Sequence, residues 1–534
     1  MAVRGSSNRV DADPHDDDAE LSPAEIDEII TDDDDDPNAD HPMSDGDDDA
    51  VEEDTAAAAA STTATTTTIE VENDSKAYFD GHSSSIFSIS AHPANPSLFL
   101  TGGGDDVAYI WTTTTATTAT PADDAAVVPR ECKTVRKLDA HADSVVATAF
   151  TAPDGAFALT AGLDGAIHLY AAAAGWALAD RVQEVDEVIW MAAHPHEPAV
   201  AVGCSDGSVW LYDVDSDGGG GGATATAKAR LAIRHAMHSH TASCSAGLFA
   251  RAGALLVTVS EDGSLYGWDT AAGHALLALT AADARFAITG GLFSLAVSPS
   301  GAVAAVGGAT GEICVVGLPA PDSPFTPAST IATTAAAAAT AREKRTSSRP
   351  QPGGGGSTGG GQAGQMVARM QAHSESVESL SFHPSIPLLA SGSVDGTIAL
   401  YDAARGYAVR HTLHGHVDAV VKVDFAAPGP AAQAAAGWVL TSCGIDGSVR
   451  RWDARAGVQT ACLRGHLGGN GAEGEGGVLG FVQTRDRIVT AGDDGVALVF
   501  ELAGAGAGAG GGASSRGGGG GGGGGGDTMP SETA

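Results

Sequence analysis

The sequence predicts an all-β fold, a closed β-propeller of four-stranded blades, and two observations support this. A histidine recurs that is followed after 18 or 19 residues, or more where a loop intervenes, by Ser or Thr, then by Asp and an aromatic residue. Asp-Gly pairs also recur after short apolar strands, as at Asp262-Gly263 and Asp446-Gly447. Because Asp-Gly favours tight hairpin turns, each copy marks a hairpin within one blade.

The recurring polar residues have a structural explanation. The turn aspartate can accept a hydrogen bond from the histidine ring, and the Ser or Thr hydroxyl can bridge the histidine and the aromatic residue. The buried carboxylate therefore keeps its hydrogen-bond partners. The pattern resembles WD40 repeats, in which these four residues stabilise each blade. The expected tetrads are His82, Thr101, Asp105 and Trp111; His141, Thr160, Asp164 and Tyr170; His240, Thr258, Asp262 and Trp268; His373, Ser391, Asp395 and Tyr401; His416, Ser442, Asp446 and Trp452; and, closed by a phenylalanine that cannot donate, His466, Thr490 and Asp494.

Two further repeats lack the full tetrad. A third repeat has Asp206 and Tyr212 but no histidine, and a fifth is marked by Thr310 and Gly311 alone. We therefore expect eight blades. Seven is the alternative, because the fifth repeat is weakly marked.

The blades are expected to span residues 69–502, with insertions at 112–130, 215–229 and 319–366. Without the insertions, eight blades of about 43 residues remain, which is the usual repeat length. The last blade has one strand after its turn, so we expect residues 69–79 to supply its outer strand and close the ring.

The ends of the chain differ in composition from the blades. Residues 1–54 hold 22 Asp and Glu against two arginines, Arg4 and Arg9. Because such a run of charge repels itself, we expect residues 1–68 to form a disordered acidic head. The Gly-rich stretch 503–534 is expected to be a disordered tail.

Motifs and composition argue against several classes of protein. The sequence shows no phosphate-binding glycine loop, His-Glu-x-x-His pattern or Gly-x-Ser-x-Gly elbow, and most histidines fall at tetrad positions, so we predict that the protein is not an enzyme. Six cysteines without paired spacing predict neither a disulfide framework nor a zinc site, and we expect no cofactor. Because the sequence shows no signal peptide and no apolar span, we expect the protein in the cytoplasm, with the nucleus as a further compartment. We also expect a monomer.

The charge of the chain indicates the kind of partner. The formal net charge is −39, which should repel nucleic acid and membrane lipid and attract a basic protein or peptide. On a propeller, residues after each loop histidine and before each turn aspartate reach one face around the channel. An acidic partner-binding face is therefore expected, with surface charge spread over all faces as the alternative; its candidate residues are Asp143, Asp186, Glu187, Glu261, Glu375, Asp418 and Asp493.

Three segments carry a closer resemblance. They are residues 78–87, residues 101–111, and Val188-Ile189-Trp190-Met191 followed by His194-Pro195. Together with the acidic head, they resemble the angio-associated migratory cell protein family, whose fungal relatives are ribosome-assembly chaperones. The third segment is the most specific, and it adds Trp190 to the candidate face.

This resemblance implies a function. It implies a propeller whose acidic face holds the basic N-terminal segment of a new large-subunit ribosomal protein, often called L-ten, until that protein joins the 60S precursor. The alternative is a general scaffold or adaptor in signalling, cell migration or ubiquitin-ligase substrate recruitment. A dedicated chaperone should bind one basic ribosomal protein, whereas a scaffold should bind several partners.

Overall fold

The computed structural model describes residues 73–113, 129–216, 229–283, 286–320, 326–327, 363–426, 436–466, 476–484 and 486–502. The chain divides into two units, Met1–Thr68 and Ile69–Ala534, and all described residues belong to the second. The predictions for the acidic head, for the Gly-rich tail and for most of each insertion lie outside the described residues.

The first part of the chain supplies a leading strand and the first four blades. Its strands are β1 (Ala77–Phe79), β2 (Ile86–Ala91), β3 (Leu98–Gly103), β4 (Ala108–Thr112), β5 (Arg130–Glu131), β6 (Lys133–Leu138), β7 (Val145–Phe150), β8 (Phe157–Gly162), β9 (Ala166–Ala171), β10 (Ala177–Gln183), β11 (Val188–Ala193), β12 (Ala199–Cys204), β13 (Ser208–Ser216), β14 (Ala229–His238), β15 (Cys244–Ala250), β16 (Leu255–Ser260), β17 (Leu265–Asp269) and β18 (Ala275–Leu279).

The second part supplies the other four blades. Its strands are β19 (Leu292–Val297), β20 (Val303–Gly308), β21 (Glu312–Gly317), β22 (Thr326–Pro327), β23 (Met366–Gln371), β24 (Val377–Phe382), β25 (Leu388–Ser393), β26 (Thr397–Asp402), β27 (Ala408–His414), β28 (Val420–Phe425), β29 (Val439–Gly444), β30 (Val449–Asp453), β31 (Val458–Leu463), β32 (Val478–Gln483), β33 (Arg487–Gly492) and β34 (Ala497–Glu501).

These strands form eight sheets, which confirms the prediction of eight blades. From the inner to the outer strand, blades 1 to 4 are β2-β3-β4-β6, β7-β8-β9-β10, β11-β12-β13-β14 and β15-β16-β17-β18, and blades 5 to 8 are β19-β20-β21-β23, β24-β25-β26-β27, β28-β29-β30-β31 and β32-β33-β34-β1. The inner strand of each blade contacts the inner strands of both neighbours, including β2 with β32, so the ring is closed.

Closure uses the two ends of the folded unit, as the sequence predicts. Strand β1 pairs antiparallel with β34, with Ala77 opposite Val499 and Phe79 opposite Ala497. Two short strands extend this architecture, since β5 pairs parallel with β1 and β22 pairs parallel with β18. Both draw on segments predicted as insertions, so these segments contribute a fifth strand to blades 8 and 4.

Helical structure in the described residues is limited to single 3-10 turns. They are Ala172–Ala174, Arg251–Gly253, Ala403–Arg405 and Ala436–Trp438. No helix in the described part of the chain has the length and apolar character needed to cross a membrane.

Every inner strand begins in the same way. Its first residue is fully buried, and a register shift with the second strand follows at once, leaving one extra residue as a β-bulge. The extra residue of each blade is half-buried or exposed; these residues are Phe87, Val146, Ile189, Ser245, Phe293, Glu378, Val421 and Leu479.

Candidate functional site

His82 connects the loop and the turn of blade 1. Its Nδ1 lies 2.9 Å from Asp105 Oδ1 and its Nε2 lies 2.9 Å from Thr101 Oγ1, and Trp111 Nε1–H donates to the same hydroxyl oxygen at 3.3 Å. Burial lowers the pKa of His82, although Asp105 opposes the shift. The ring is therefore neutral, with Nδ1–H donating to the carboxylate and Nε2 accepting from the hydroxyl.

Four other blades repeat this arrangement. The histidine Nδ1 lies 3.0–3.1 Å from the turn carboxylate, and Nε2 lies 2.7–2.8 Å from the hydroxyl. The sets are His141 with Asp164 and Thr160, His373 with Asp395 and Ser391, His416 with Asp446 and Ser442, and His466 with Asp494 and Thr490.

Blade 4 departs from the pattern. His240 Nδ1 lies 3.9 Å from Asp262 Oδ1 and instead lies 2.6 Å from Ser264 Oγ. The rest is as predicted, because Nε2 lies 2.8 Å from Thr258 Oγ1 and Trp268 donates to that oxygen at 2.9 Å. A serine two residues after the turn aspartate therefore takes the place of the direct contact between histidine and carboxylate.

The closing aromatic residues also differ. Trp452 donates to Ser442 Oγ at 2.9 Å, and the Tyr401 hydroxyl lies 3.2 Å from Ser391 Oγ. The buried Tyr170 hydroxyl, in contrast, makes no hydrogen bond of normal geometry with a described residue, although Thr160 is near enough to oppose the rise in its pKa that burial causes. Nothing in the structure explains why the two tyrosines differ.

Four of the turn aspartates are held in the ionised form. Burial alone would raise their pKa, but hydrogen bonds from nearby hydroxyls, imidazoles and backbone N–H groups outweigh it and lower the pKa of Asp164, Asp262, Asp395 and Asp446. These histidines and carboxylates therefore have internal partners. In the described part of the chain, no group of three or more His, Cys, Asp or Glu could hold a metal ion.

One face of the ring is defined by a hydrogen bond found in every blade. The residue that begins the turn between the second and third strands donates its N–H to the residue just before an inner strand, at 2.8–3.3 Å. We call this surface the turn face; its eight bonds run from Gly104 to Ser85, Leu163 to Ser144, Ser205 to Glu187, Glu261 to Ser243, Ala309 to Gly291, Val394 to Ser376, Ile445 to Ala419 and Asp493 to Gly477.

All seven acidic candidates lie in these turns and loops, and therefore on the turn face. Asp493 is half-buried and accepts from the Ser85 hydroxyl at 2.5 Å, which links blade 8 to blade 1. The other six are exposed; they are Asp143, Asp186, Glu187, Glu261, Glu375 and Asp418.

Trp190 has a different environment from the acidic candidates. It lies half-buried in β11, where its ring packs over two glycines. A Cβ on Gly203 would lie 2.1 Å from Trp190 Nε1, and one on Gly247 would lie 2.0 Å from Cη2. Because those glycines belong to blades 3 and 4, Trp190 packs between two blades, and its role on the binding face stays a prediction.

The turn face also carries apolar side chains that were not among the candidates. Val394, Val417 and Ile445 are exposed there, each beside a tetrad histidine or aspartate. The sequence signal was available, because an apolar residue at such a position has no place in the blade interior.

Comparison with known proteins places this architecture in a family. The model of the WD domain, G-beta repeat, matches residues 73–112, 132–170, 364–402 and 408–453. The crystal structure of Chaetomium thermophilum Sqt1 bound to the N-terminus of the ribosomal protein L10 is 38% identical, with a TM-score of 0.64, and the match covers 81% of this chain and 100% of that one. This chain belongs to the Sqt1 family of WD40-repeat proteins.

Two further members extend the Sqt1 family. The ribosome assembly protein SQT1 of Saccharomyces cerevisiae is 26% identical over 461 residues, which cover 81% of this chain and 88% of that protein. The human angio-associated migratory cell protein is 26% identical over 448 residues, covering 81% of each. The resemblance seen in the sequence is therefore confirmed.

Proposed function

We propose that this protein is a dedicated chaperone that holds the basic N-terminal segment of a large-subunit ribosomal protein, L10 or its equivalent, in the cytoplasm during 60S assembly. The segment lies on the turn face, where carboxylates from blades 2, 3, 4, 6 and 7 are exposed. The observation that supports this most is the Sqt1 relative bound to the N-terminus of L10.

The exposed carboxylates are suited to a cationic chain. Asp143 and Asp418 each accept one hydrogen bond, from the next backbone N–H at 2.7 Å. An ionised carboxylate has about four acceptor positions, so each keeps room for arginine or lysine. Charge-assisted bonds of this kind are short and strong, and a concentration of one sign of charge speeds association.

A charge-reversal variant tests the proposal. Asp143→Lys/Glu375→Lys/Asp418→Lys should weaken binding of the L10 N-terminal peptide from the same organism by at least about tenfold, because repulsion replaces three favourable contacts. The matched control is Glu131→Lys/Asp154→Lys/Glu501→Lys, whose residues are exposed. Glu131 lies on the extra outer strand β5, and Asp154 and Glu501 lie at the ends of blades 2 and 8 opposite the turn face. Isothermal titration calorimetry should show the control unchanged.

Copurification at low salt separates the chaperone from the scaffold alternative, which the likeness to the human angio-associated migratory cell protein favours. A dedicated chaperone should enrich one basic large-subunit ribosomal protein without whole ribosomes. Recovery of several unrelated partners, retained by the charge-reversal variant, would support the scaffold and contradict the chaperone.

A further inference from the structure

Blades 6 and 7 expose three branched aliphatic side chains on the turn face. Val417 is 84% exposed, Ile445 39% and Val394 37%. Clustered exposed apolar residues rimmed by polar ones mark interaction surfaces more often than single ones do.

The three residues surround one loop. Val394 begins the turn of blade 6, and Gly396 lies two residues further in the same turn. A Cβ built on Gly396 would lie 3.3 Å from the carbonyl oxygen of Asp418 and 3.4 Å from that of His416. The turn therefore packs against the loop that carries Val417. On the other side, Ile445 N–H donates to the end of the same loop at 3.0 Å. We call Val394, Val417 and Ile445 the apolar patch.

The blade fold does not require these residues to be apolar. After the tetrad histidine, blades 1, 2, 4 and 6 have Ser83, Ala142, Thr241 and Ser374 where blade 7 has Val417, and blade 8 has Leu467. At the start of the turn, the other six blades have Gly104, Leu163, Ser205, Glu261, Ala309 and Asp493. Most of these residues are small or polar; the exceptions are Leu467, which lies outside the described residues, and Leu163, which is half-buried.

Carboxylates flank the apolar patch. Glu375 and Asp418 are exposed in the loops before the inner strands of blades 6 and 7. Asp493 lies on the other side of Ile445, and Gly477 connects the two. The Asp493 N–H donates to the Gly477 carbonyl oxygen at 2.8 Å, and a Cβ built on Gly477 would lie 3.2 Å from Ile445. A partner on the patch must therefore place an apolar group next to cationic ones.

We propose that the apolar patch binds an apolar side chain of the cationic client segment and thereby selects it among basic peptides. This inference rests on the proposed function and adds the determinant of specificity. Charge steers any strongly basic peptide to this face quickly, whereas burial of branched side chains contributes only when the partner supplies a matching apolar group.

The test replaces the patch without changing charge or β-branching. Val394→Thr/Val417→Thr/Ile445→Thr should weaken binding of the L10 N-terminal peptide at least about tenfold by calorimetry, since three apolar contacts with the peptide are lost. The loss should be the same at low and high salt, because no charge has changed. The single variant Val417→Thr, at the most exposed position, should show a smaller loss and serves if the triple variant does not fold.

The chain offers a matched control in the same two blades. Val409 and Val458 lie on the outer strands β27 and β31, and each is 52% exposed. Val409→Thr/Val458→Thr should leave the affinity unchanged. A peptide of equal charge built from arginine, glycine and serine alone should bind wild type and patch variant equally.

The outcomes separate the two proposals. If wild type binds the L10 peptide and the folded patch variant binds it equally well, the inference is wrong and the chaperone proposal stands. If the patch variant also loses the arginine-glycine-serine peptide, the patch does not select apolar groups. If wild type does not bind the L10 peptide at all, the proposed function fails, and this inference falls with it.

Discussion

Blade 7 and blade 5 share strand order and register, yet their interiors differ in chemistry. Blade 7 holds the full tetrad, with His416, Ser442, Asp446 and Trp452 joined by hydrogen bonds of 2.8–3.0 Å. A Cβ on Gly444, at the end of its second strand, would lie 2.9 Å from His416 Nδ1. The histidine thus packs against the glycine backbone as well as bonding to its partners.

Blade 5 fills the same positions with apolar residues. A Cβ on Gly308 would lie 2.3 Å from Ile288 Cγ2, so isoleucine stands where blade 7 has histidine. Val306 and Val316 occupy the hydroxyl and aromatic positions, and both are fully buried. Only Thr310, at the turn, remains polar, and it is exposed.

The difference shows what a blade requires. At the four tetrad positions, a network with every partner present and a set with no buried polar group both build the same sheet, because neither leaves a buried polar atom of that set unpaired. A blade with a half-complete network should be less stable than either, because some buried polar atoms would then lack a partner. Exchanging single residues between the two blades tests this.

The largest effect is expected from Asp446→Ala. Asp446 accepts from His416, the Val417 N–H and Ser448, and its side chain is 2% exposed, so its loss leaves several donors unpaired. We expect a loss of about 3–5 kcal/mol, seen as a fall in Tm by differential scanning calorimetry. Thr310→Ala, at the matching position of blade 5, should cost less than about 0.5 kcal/mol; equal losses would contradict the comparison.

A smaller effect is expected from a reciprocal pair. Ser442→Ala leaves His416 Nε2 and Trp452 Nε1 without their shared partner and should cost about 2 kcal/mol. Val306→Thr places an unpaired hydroxyl in the apolar interior of blade 5 and should cost about 1–3 kcal/mol. Thermal unfolding of both variants tests whether polar groups are tolerated only as a set; a neutral Val306→Thr would show that blade 5 can accommodate one alone.

The smallest effect is expected from acid. Burial lowers the pKa of His240 to about 4 and also lowers the pKa of His82, His141 and His373. Because the unfolded chain then binds more protons below pH 6.5, stability must fall as pH drops through that value. For His240 alone the loss is about 1 kcal/mol between about pH 7 and about pH 5.5. A Tm that rises or stays constant over this interval would contradict neutral histidines in the blades.

Much of this ring could be predicted from the sequence, because turn chemistry and tetrad spacing are local. Asp446-Gly447 fixes a hairpin, and His416 lies where it must meet Asp446 once the strands pair. The bond of His240 to Ser264 was missed, since a second hydroxyl near the turn competes for the ring and spacing alone cannot decide which one wins. Strands β5 and β22 were also missed, because two-residue strands leave no periodic pattern.

The binding face was harder to predict. Acidic positions such as Asp143 and Asp418 follow from their distance to a tetrad residue, and the structure places both on the turn face. The family resemblance predicts a place on that face for Trp190, and its packing against Gly203 and Gly247, which are distant in sequence, could not be read from the sequence. The apolar patch was missed because the candidates for the face were chosen by charge, and Val417 beside His416 carries none.

One measurement tests the central claim that the tetrads hold the blades together while the turn face binds the client. The affinity for the L10 N-terminal peptide and the Tm are measured for wild type, for Ser442→Ala and for Asp143→Lys/Glu375→Lys/Asp418→Lys. We expect Ser442→Ala to lower the Tm and keep the affinity, and the charge-reversal variant to lose affinity and keep the Tm. A folded Ser442→Ala protein that no longer binds, or a charge-reversal variant that binds like wild type, would contradict it.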